Sequence, residues 1–524
     1  MRFTDRQYLR RHGALAALLV LGGCATDALD LAPSDPTVPW PITPPAELQN
    51  PKPLNTSIGR LGVEMPSVSR EGAVLIDPGR SYNLAELIDI AQRSNPQTRE
   101  AWEHARQAAL AVGLIESTYL PQLSAEAIAG YQHSTFPIPA NLVPNGQFTA
   151  VTEEALPALA VKWLLFDFGR RAGAEKAAKA ESFVANVAFT GAHQKLIFAV
   201  SRDYFGLSAA RGRLNAAKEA VVNAQVVEDA VMDRRNNGLA TTVEVAQAQR
   251  QSAEARFNLA RATGDEHSAY QALIASMGVA TSVTLKVADS SAETLPPAPP
   301  DAVTEFVDIA MARRPDMVAA RGEVLAAEAK LDQARADYGP TVALVGQGYE
   351  NIGQISVQGS RYYSSAATSG NLLLQFSLPL FDGGARDARV DVARSAVAAA
   401  KDVLDQTRNV AVKQVTDAFY ALNTTLAEHA AATALVFAAR TAYDAALDAY
   451  RHGVGTYTDL VADETALTRS ESELDDAHSG AFTAAAALAF ATGSITSAQQ
   501  GAEPTGEPIR AGDRLNMAGT KAHD

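Results

Sequence analysis

FDFGRR (residues 166–171) and FDGGAR (381–386) are nearly one phrase, written twice more than two hundred residues apart. Other pairs fall into register around them. Asn95-Pro96 aligns with Arg314-Pro315 and Leu120-Pro121 with Gly339-Pro340, both at an offset of 219 (315 − 96; 340 − 121). Asp167 aligns with Asp382, Gly238 with Gly453 and Gly278 with Gly493, all at 215. Five anchors in order, with one four-residue slip between 121 and 167, identify an internal duplication, 82–278 and 303–493. The Pro-rich stretch LPPAPPD (295–301) joins the copies.

The N-terminus reads as a targeting segment. Arg2, Arg6, Arg10 and Arg11 precede the apolar run ALAALLVL (14–21), which meets Gly22-Gly23-Cys24. That run is too short for a spanning helix, which needs about 20 apolar residues. Leu21-Gly22-Gly23-Cys24 resembles a bacterial lipobox, in which the cysteine becomes the lipidated N-terminus. Ala25 after it implies sorting to the outer membrane; the alternative is an ordinary signal peptide with an incidental cysteine. Cys24 is the only cysteine, so the mature chain has no internal disulfide. A net charge of −14 argues against a nucleic-acid partner. No other segment is long and apolar enough for a membrane helix, so any membrane-spanning part is built from strands. The expected organisation is a signal peptide (1–23), a lipid-anchored extended segment (24–81), a first repeat (82–294), a linker (295–302), a second repeat (303–493) and a polar tail (494–524).

Each copy opens with two helical stretches, 84–96 and 98–119 in the first and 306–340 in the second. Alternation follows. In QLSAEAIAGYQ (122–132), Gln122, Ser124 and Glu126 face one way and Leu123, Ala125, Ala127 and Ala129 the other. A loop (136–148) and a second apolar run, LPALAVKWLLF (156–166), complete a hairpin. The second copy offers TVALVGQGYE (341–350) and NLLLQFSLPLF (371–381), with Leu372, Leu374, Phe376, Leu378 and Leu380 on one face. The slip falls in this hairpin, which implies a shorter second outer loop. Trp163 and Tyr131 are candidate interface anchors of an aromatic girdle. Four strands cannot close a barrel, and open edges are forbidden in lipid. The strands are therefore either soluble or part of a barrel shared by several chains.

Beyond each repeated phrase no proline occurs until far past Asn236 and His452, so two very long helices are expected, each returning as a second helix (243–277; 458–492). Leu207, Leu214 and Val221, with Ala210, Ala217, Ala224 and Val231, set a heptad spacing. The repeated phrase then marks a strand-to-helix junction. Asp167 and Asp382 are placed to cap the helices, and Gly169, Gly383 and Gly384 to turn the chain. Gly238 and Gly453 mark the helix turns at the far end.

These features resemble the TolC-type outer membrane efflux factors, in particular the lipoprotein branch serving resistance-nodulation-division pumps. The resemblance is carried by the lipobox, by RRPDMVAARGEVLAAEAKLDQARADYGP (313–340), by NLLLQFSLPLFDGGAR (371–386) and by AYRHGVGTYTDLVADETAL (449–467). It covers 82–493, twice over. It implies a homotrimer whose chains each give four strands to one transmembrane β-barrel, continued by a periplasmic α-helical coiled-coil tunnel. It also implies a passive duct without cofactor or catalytic residue, working with a periplasmic adaptor and an inner-membrane pump. In the family, acidic side chains line a constriction just past the helix turns. Asp459 falls on one such position and Glu244 on its equivalent in the first copy. The second family position is Ala462, with Asp463 one residue later, and Gly455 stands where some relatives carry a basic residue.

No two of the nine histidines lie three or four apart, and HExxH, P-loop and GxSxG patterns are absent. GQGYENIG (346–353) is read as a loop rather than a nucleotide site. A lipid-anchored scaffold without a pore and an envelope enzyme are the competing classes; within the duct class, type I protein secretion is the alternative to efflux.

Overall fold

The element order repeats as the sequence does. In a computed structural model, the first copy runs β1 (Ser81–Tyr82), α1 (Leu84–Ser94), α2 (Pro96–Glu116), β2 (Gln122–Pro137), β3 (Gln147–Phe166), α3 (Arg170–Asn236) and α4 (Thr242–Ser276). The second runs β4 (Lys286–Val287), α5 (Val303–Arg313), α6 (Pro315–Ala336), β5 (Thr341–Val357), β6 (Tyr363–Ser364), β7 (Ala367–Ser377), α7 (Ala385–Arg451) and α8 (Tyr457–Ala491). Both α3 and α7 have 67 residues, and both α4 and α8 have 35. Each pair keeps the offset of 215 (385 − 170; 457 − 242). The structure describes residues 27–41, 76–139, 146–280, 282–300 and 302–495; the signal segment, Cys24 and the tail beyond 495 lie outside them.

Local chemistry explains the helix ends. Asn83 caps α1 through a reciprocal pair with Glu86, and Pro96 and Pro315 open α2 and α6, where a missing N–H costs nothing. At 1.5 Å per residue, α3 and α7 are each about 100 Å long. Along α3 the buried residues Ala210, Ala217, Ala224 and Val231 recur every seven. Leu214 and Val221 are only half-buried, so small side chains form this seam.

The chain forms two compact units that cut across the copies. Among the described residues, one comprises 27–41, 96–139, 146–192 and 308–414, the other 76–95, 193–280, 282–300, 302–307 and 415–495. The first unit holds the sheet, in the order β2-β3-β5-β7, antiparallel throughout, with the short β6 also on β5. The two hairpins therefore meet through β3 and β5, while among the described residues β2 and β7 each pair on one side only. Leu123 pairs with Val161, Val161 with Gly346 and Gly346 with Leu372, which places these side chains on one face. The same register adds Leu159, Trp163, Leu344, Leu374 and Phe376 to that face, and puts Gln122, Glu126, Lys162, Gln347 and Gln375 on the other. A Cβ at Gly346 would fall 2.8 Å from Val161 Cγ1 and 2.9 Å from Leu372 Cδ1, so glycine lets those two side chains close over it.

The strands are longer than alternation alone predicts. β2 continues to Pro137, β3 starts at Gln147, and β5 runs to Val357, so GQGYENIG is mid-strand rather than a loop. Phe136 pairs with Phe148 and Ile352 with Ala155, because the backbone donors and acceptors of a neighbouring strand recruit segments whose own pattern is weak. β7 ends at Ser377, and Leu378–Phe381 leave the ladder just before and after Pro379, which has no N–H to give it. The bases of the hairpins match, Gln122 with Lys162 and Thr341 with Ser377, so the four-residue slip lies towards the turns. The second turn is the shorter: Ile355 still pairs with Tyr363, whereas the first ladder stops at Pro137 and Gln147.

Residues 27–41 form a strap against α2 and α3 in the same unit. Trp102 Nε1 donates to Pro33 O (2.7 Å), Asn186 Nδ2 to Leu31 O (2.6 Å) and Thr190 Oγ1 to Trp40 O (2.8 Å). In the second unit the parallel pair β1–β4 closes over Leu87, Ile90, Val200, Leu207, Leu273 and Met277, and Phe205 stacks on Phe482 with centroids 4.9 Å apart.

Candidate functional site

Two places in the fold are built alike in both copies. The first is the junction after β3 and after β7. Asp167 Oδ2 accepts from the Arg171 backbone N–H and from Arg171 Nε, each at 3.0 Å, which caps α3 and holds the arginine at once. The arginine then gathers carbonyls: Nη1 donates to Thr118 O at 2.9 Å and Nη2 to Leu165 O at 3.4 Å, with the guanidinium 4.6 Å from the Tyr119 ring centroid. Trp163 Nε1 donates to Tyr119 O at 2.8 Å, tying the strand base to the same segment. In the second copy Asp382 Oδ2 accepts from Arg386 N (3.1 Å) and Nε (2.9 Å), while Nη1 donates to Pro379 O (2.7 Å).

The repeated phrase thus spells a carboxylate, a turn and an arginine that together fasten a strand end to a helix start. Gly169, Gly383 and Gly384 take φ of 98°, 70° and 86°. Phe168, equivalent to Gly383, sits at φ 53°, a region costly for a residue with a Cβ. Arg171 and Arg386 were not among the expected site residues, although the phrase itself repeats them.

The second place is the tip where α3 turns into α4 and α7 into α8. Gly238 (φ 75°) and Gly453 (φ 79°) close both helices in the same way. Leu239 N–H reaches Arg234 O at 2.8 Å, and Val454 N–H reaches Ala449 O at 3.0 Å. Thr241 and Thr456 begin the return helices, and Glu244 and Asp459 are their partners. Thr241 N donates to Glu244 Oε2 (2.6 Å) and Glu244 N to Thr241 Oγ1 (3.2 Å). Asp459 N donates to Thr456 Oγ1 (3.2 Å), which donates to Asp459 Oδ2 (2.7 Å). The hydrogen bond from the Thr241 backbone holds the Glu244 carboxyl below its ordinary value. Asp459 is exposed, Asp463 lies one turn further along α8 and is half-buried, and Ala462 is exposed. Two of the three expected gate acids thus carry a helix-capping duty, and Asp463 does not.

Between the hairpins lies an apolar seam of Val227, Val231, Leu447, Leu460 and Leu467 with Tyr443, Tyr450 and Tyr457. Arg234 crosses it to Tyr450, a contact no local sequence pattern signals. Among the described residues no helix is long and apolar enough to cross a membrane, and no group of three or more metal-ligating side chains occurs.

With this geometry in place, comparison with known proteins is decisive. The protein-family pattern described as outer membrane efflux protein matches residues 87–279 and again 306–494, one match per copy. The chain belongs to the outer membrane efflux protein family. Protein CyaE of Bordetella pertussis is 27% identical over 473 residues, covering 87% of this chain and 90% of that protein. Outer membrane protein OprJ of Pseudomonas aeruginosa is 24% identical over 451 residues, covering 85% and 87%. The solved structure of the outer-membrane channel OprN superposes with a TM-score of 0.68 at 21% identity, over 83% of this chain and 99% of that one. The fold is therefore that of the TolC-like outer membrane channels, internally duplicated, with strands for a β-barrel and long helices for an α-helical tunnel.

Proposed function

We propose that three copies of this chain form the exit duct of a tripartite efflux system, fed by a periplasmic adaptor and an inner-membrane resistance-nodulation-division pump. The observation that carries it is the sheet: four long antiparallel strands, one apolar face and, among the described residues, β2 and β7 each paired on one side only. Unpaired strand edges are untenable in lipid, and closing edge to edge around a threefold axis gives about twelve strands, within the known range of such barrels.

The duct is passive. It performs no chemical step, and its drive comes from the pump. Asp459, Asp463 and Glu244 form the acidic constriction at the helix tips, which favours cations. Lipid at Cys24 anchors each chain; Leu21-Gly22-Gly23-Cys24 supports this, because it matches the lipobox pattern. The same architecture serves protein secretion, which stands as the second reading of the cargo.

Native mass spectrometry of the purified protein, paired with planar-bilayer conductance, tests the proposal. A trimer with cation-selective steps is expected. A monomer, or a folded trimer that conducts nothing even with Asp459 and Asp463 replaced, would overturn it in favour of a scaffold.

A further inference from the structure

Inside the tip seam lies a carboxyl group that neither copy's pattern calls for. Glu464 is 2% exposed, on the face of α8 that also carries Leu460 and Leu467. Among the described residues its carboxyl has one hydrogen-bond partner, Gln251 Nε2 of α4, 2.9 Å from Oε2. The equivalent residue of the first copy (464 − 215) is Gln249, which is exposed and cannot ionise.

Among the described residues no cation pairs with Glu464: Arg250 and Arg451 act on Tyr457 and Tyr443, and Asp444 is a further negative charge on Tyr443. From α4 come Gln251 and Glu254, the latter paired with Arg250 at 2.8 Å. From α7 comes Tyr443 and from α8 Tyr457, both phenols pushed up to about 12, chiefly by burial. From α3 the seam receives Val227, Ala230 and Val231. The α3 cation, Arg234, is committed to the Tyr450 carbonyl at 2.8 Å.

We propose that protonation of Glu464 controls how tightly the two hairpin tips pack: neutral, it seats in the seam between α4, α7 and α8; ionised, it loosens them. A neutral carboxyl accepts the Gln251 hydrogen bond at little cost, whereas a carboxylate there is a desolvated charge held by a single donor. Burial, the largest cause, pushes the Glu464 carboxyl above its ordinary value; the Gln251 bond opposes this and Glu254 adds to it.

The sign follows from proton counting. Between the ordinary and the raised value the packed tip binds more protons than the loosened one, so packing weakens as pH rises through that window. Below the ordinary value of 4.5 it is at full strength. An acidic periplasm would hold the tip shut, and rising pH would release it.

The test is hydrogen exchange of peptides covering 443–467 in the full-length protein, wild type against Glu464→Gln at each pH from about 4 to 8, so that intrinsic exchange cancels. The ratio of wild-type to variant exchange should be near one at the acid end. It should rise with pH, by up to about tenfold for each unit by which packing raises the carboxyl. Gln251→Leu, which removes the one donor to the charged form, should move the rise to higher pH and enlarge it, a shift that a purely structural role for Glu464 would not produce.

Asp459→Asn with Asp463→Asn should leave the rise in place. A ratio fixed at one across the range, or a rise abolished by replacing Asp459 and Asp463, would overturn the proposal. Conductance recorded alongside separates it from the duct reading: exchange that follows Glu464 in a protein that conducts nothing defeats the duct and leaves the switch standing.

Discussion

Arg234, near the end of α3, donates from Nη1 to the Tyr450 carbonyl at 2.8 Å and lies with its guanidinium 4.8 Å from the Tyr450 ring centroid. One side chain of the first copy thus ties down the last turn of the long helix of the second. The duplication has diverged to allow this: the position equivalent to Arg234 (234 + 215) is Ala449, and the one equivalent to Tyr450 (450 − 215) is Arg235. The two hairpins are not interchangeable at their tips, and only the first can reach across.

Arg234→Ala removes a charge-assisted hydrogen bond and a cation–π contact, together worth about 1–3 kcal/mol. Exchange of the amides at 449–455 should speed up while that of the α1 core stays unchanged. Arg234→Lys should recover only part, since an ammonium has no planar face to lay on the ring. Unchanged exchange at the tip in Arg234→Ala would show the contact to be incidental.

The two junctions provide an internal comparison. The side chains of Asp167 and Arg171 are 7% and 9% exposed, whereas Asp382 is 27% exposed. Breaking a buried pair strands a charge, at a cost of about 3–5 kcal/mol, and breaking a more exposed pair costs less. Asp167→Asn should therefore destabilise the folded protein more than Asp382→Asn, measured by denaturant unfolding in detergent. The reverse order would mean that burial does not set the strength of this clasp.

The repeat made much of the fold legible. Helix lengths, tip glycines and the capping aspartates all follow from local rules, and a rule read once could be checked at the second copy. Strand ends were not legible in the same way. Gln354 belongs to β5 because Glu153, two hundred residues away, pairs with it, and nothing near Gln354 records that. Arg234 and Glu464 escaped for a related reason: each is defined by a partner on another helix. The arginines of the repeated phrase are different: Arg171 and Arg386 stand in both copies, and their role follows from the carbonyls they reach rather than from a local rule.

Two carboxylates break the pattern of the apolar face: Glu153, which accepts from Gln354 Nε2 at 2.7 Å, and Glu350. Glu350 pairs with Thr368 on β7, two residues beyond Gly348, which pairs with Leu159. It is therefore on the face that carries Leu344, Leu372 and Leu374. A carboxylate facing lipid costs less than an arginine or lysine there, and Glu350→Leu should stabilise refolding into lipid vesicles by about 1–2 kcal/mol. Loss of stability in that variant would put this face towards the water-filled lumen and invert the orientation of the whole sheet.

The pH response of the first-copy tip should run opposite to that of Glu464. Hydrogen bonding from the Thr241 backbone, the largest cause, holds the Glu244 carboxyl below its ordinary value of 4.5. A depressed carboxyl contributes stability that is fully present above the ordinary value and is lost as pH falls through the lowered one. The start of α4 should therefore fray in acid, losing protection at 241–245 as pH falls below the ordinary 4.5, while the seam around Glu464 tightens over its own, higher window. Glu244→Gln keeps a hydrogen-bonding side chain but no charge, so its protection at 241–245, corrected for intrinsic exchange, should be the same on both sides of that pH. If the variant frays in acid as the wild type does, the loss belongs to other carboxylates at the tip and not to this cap.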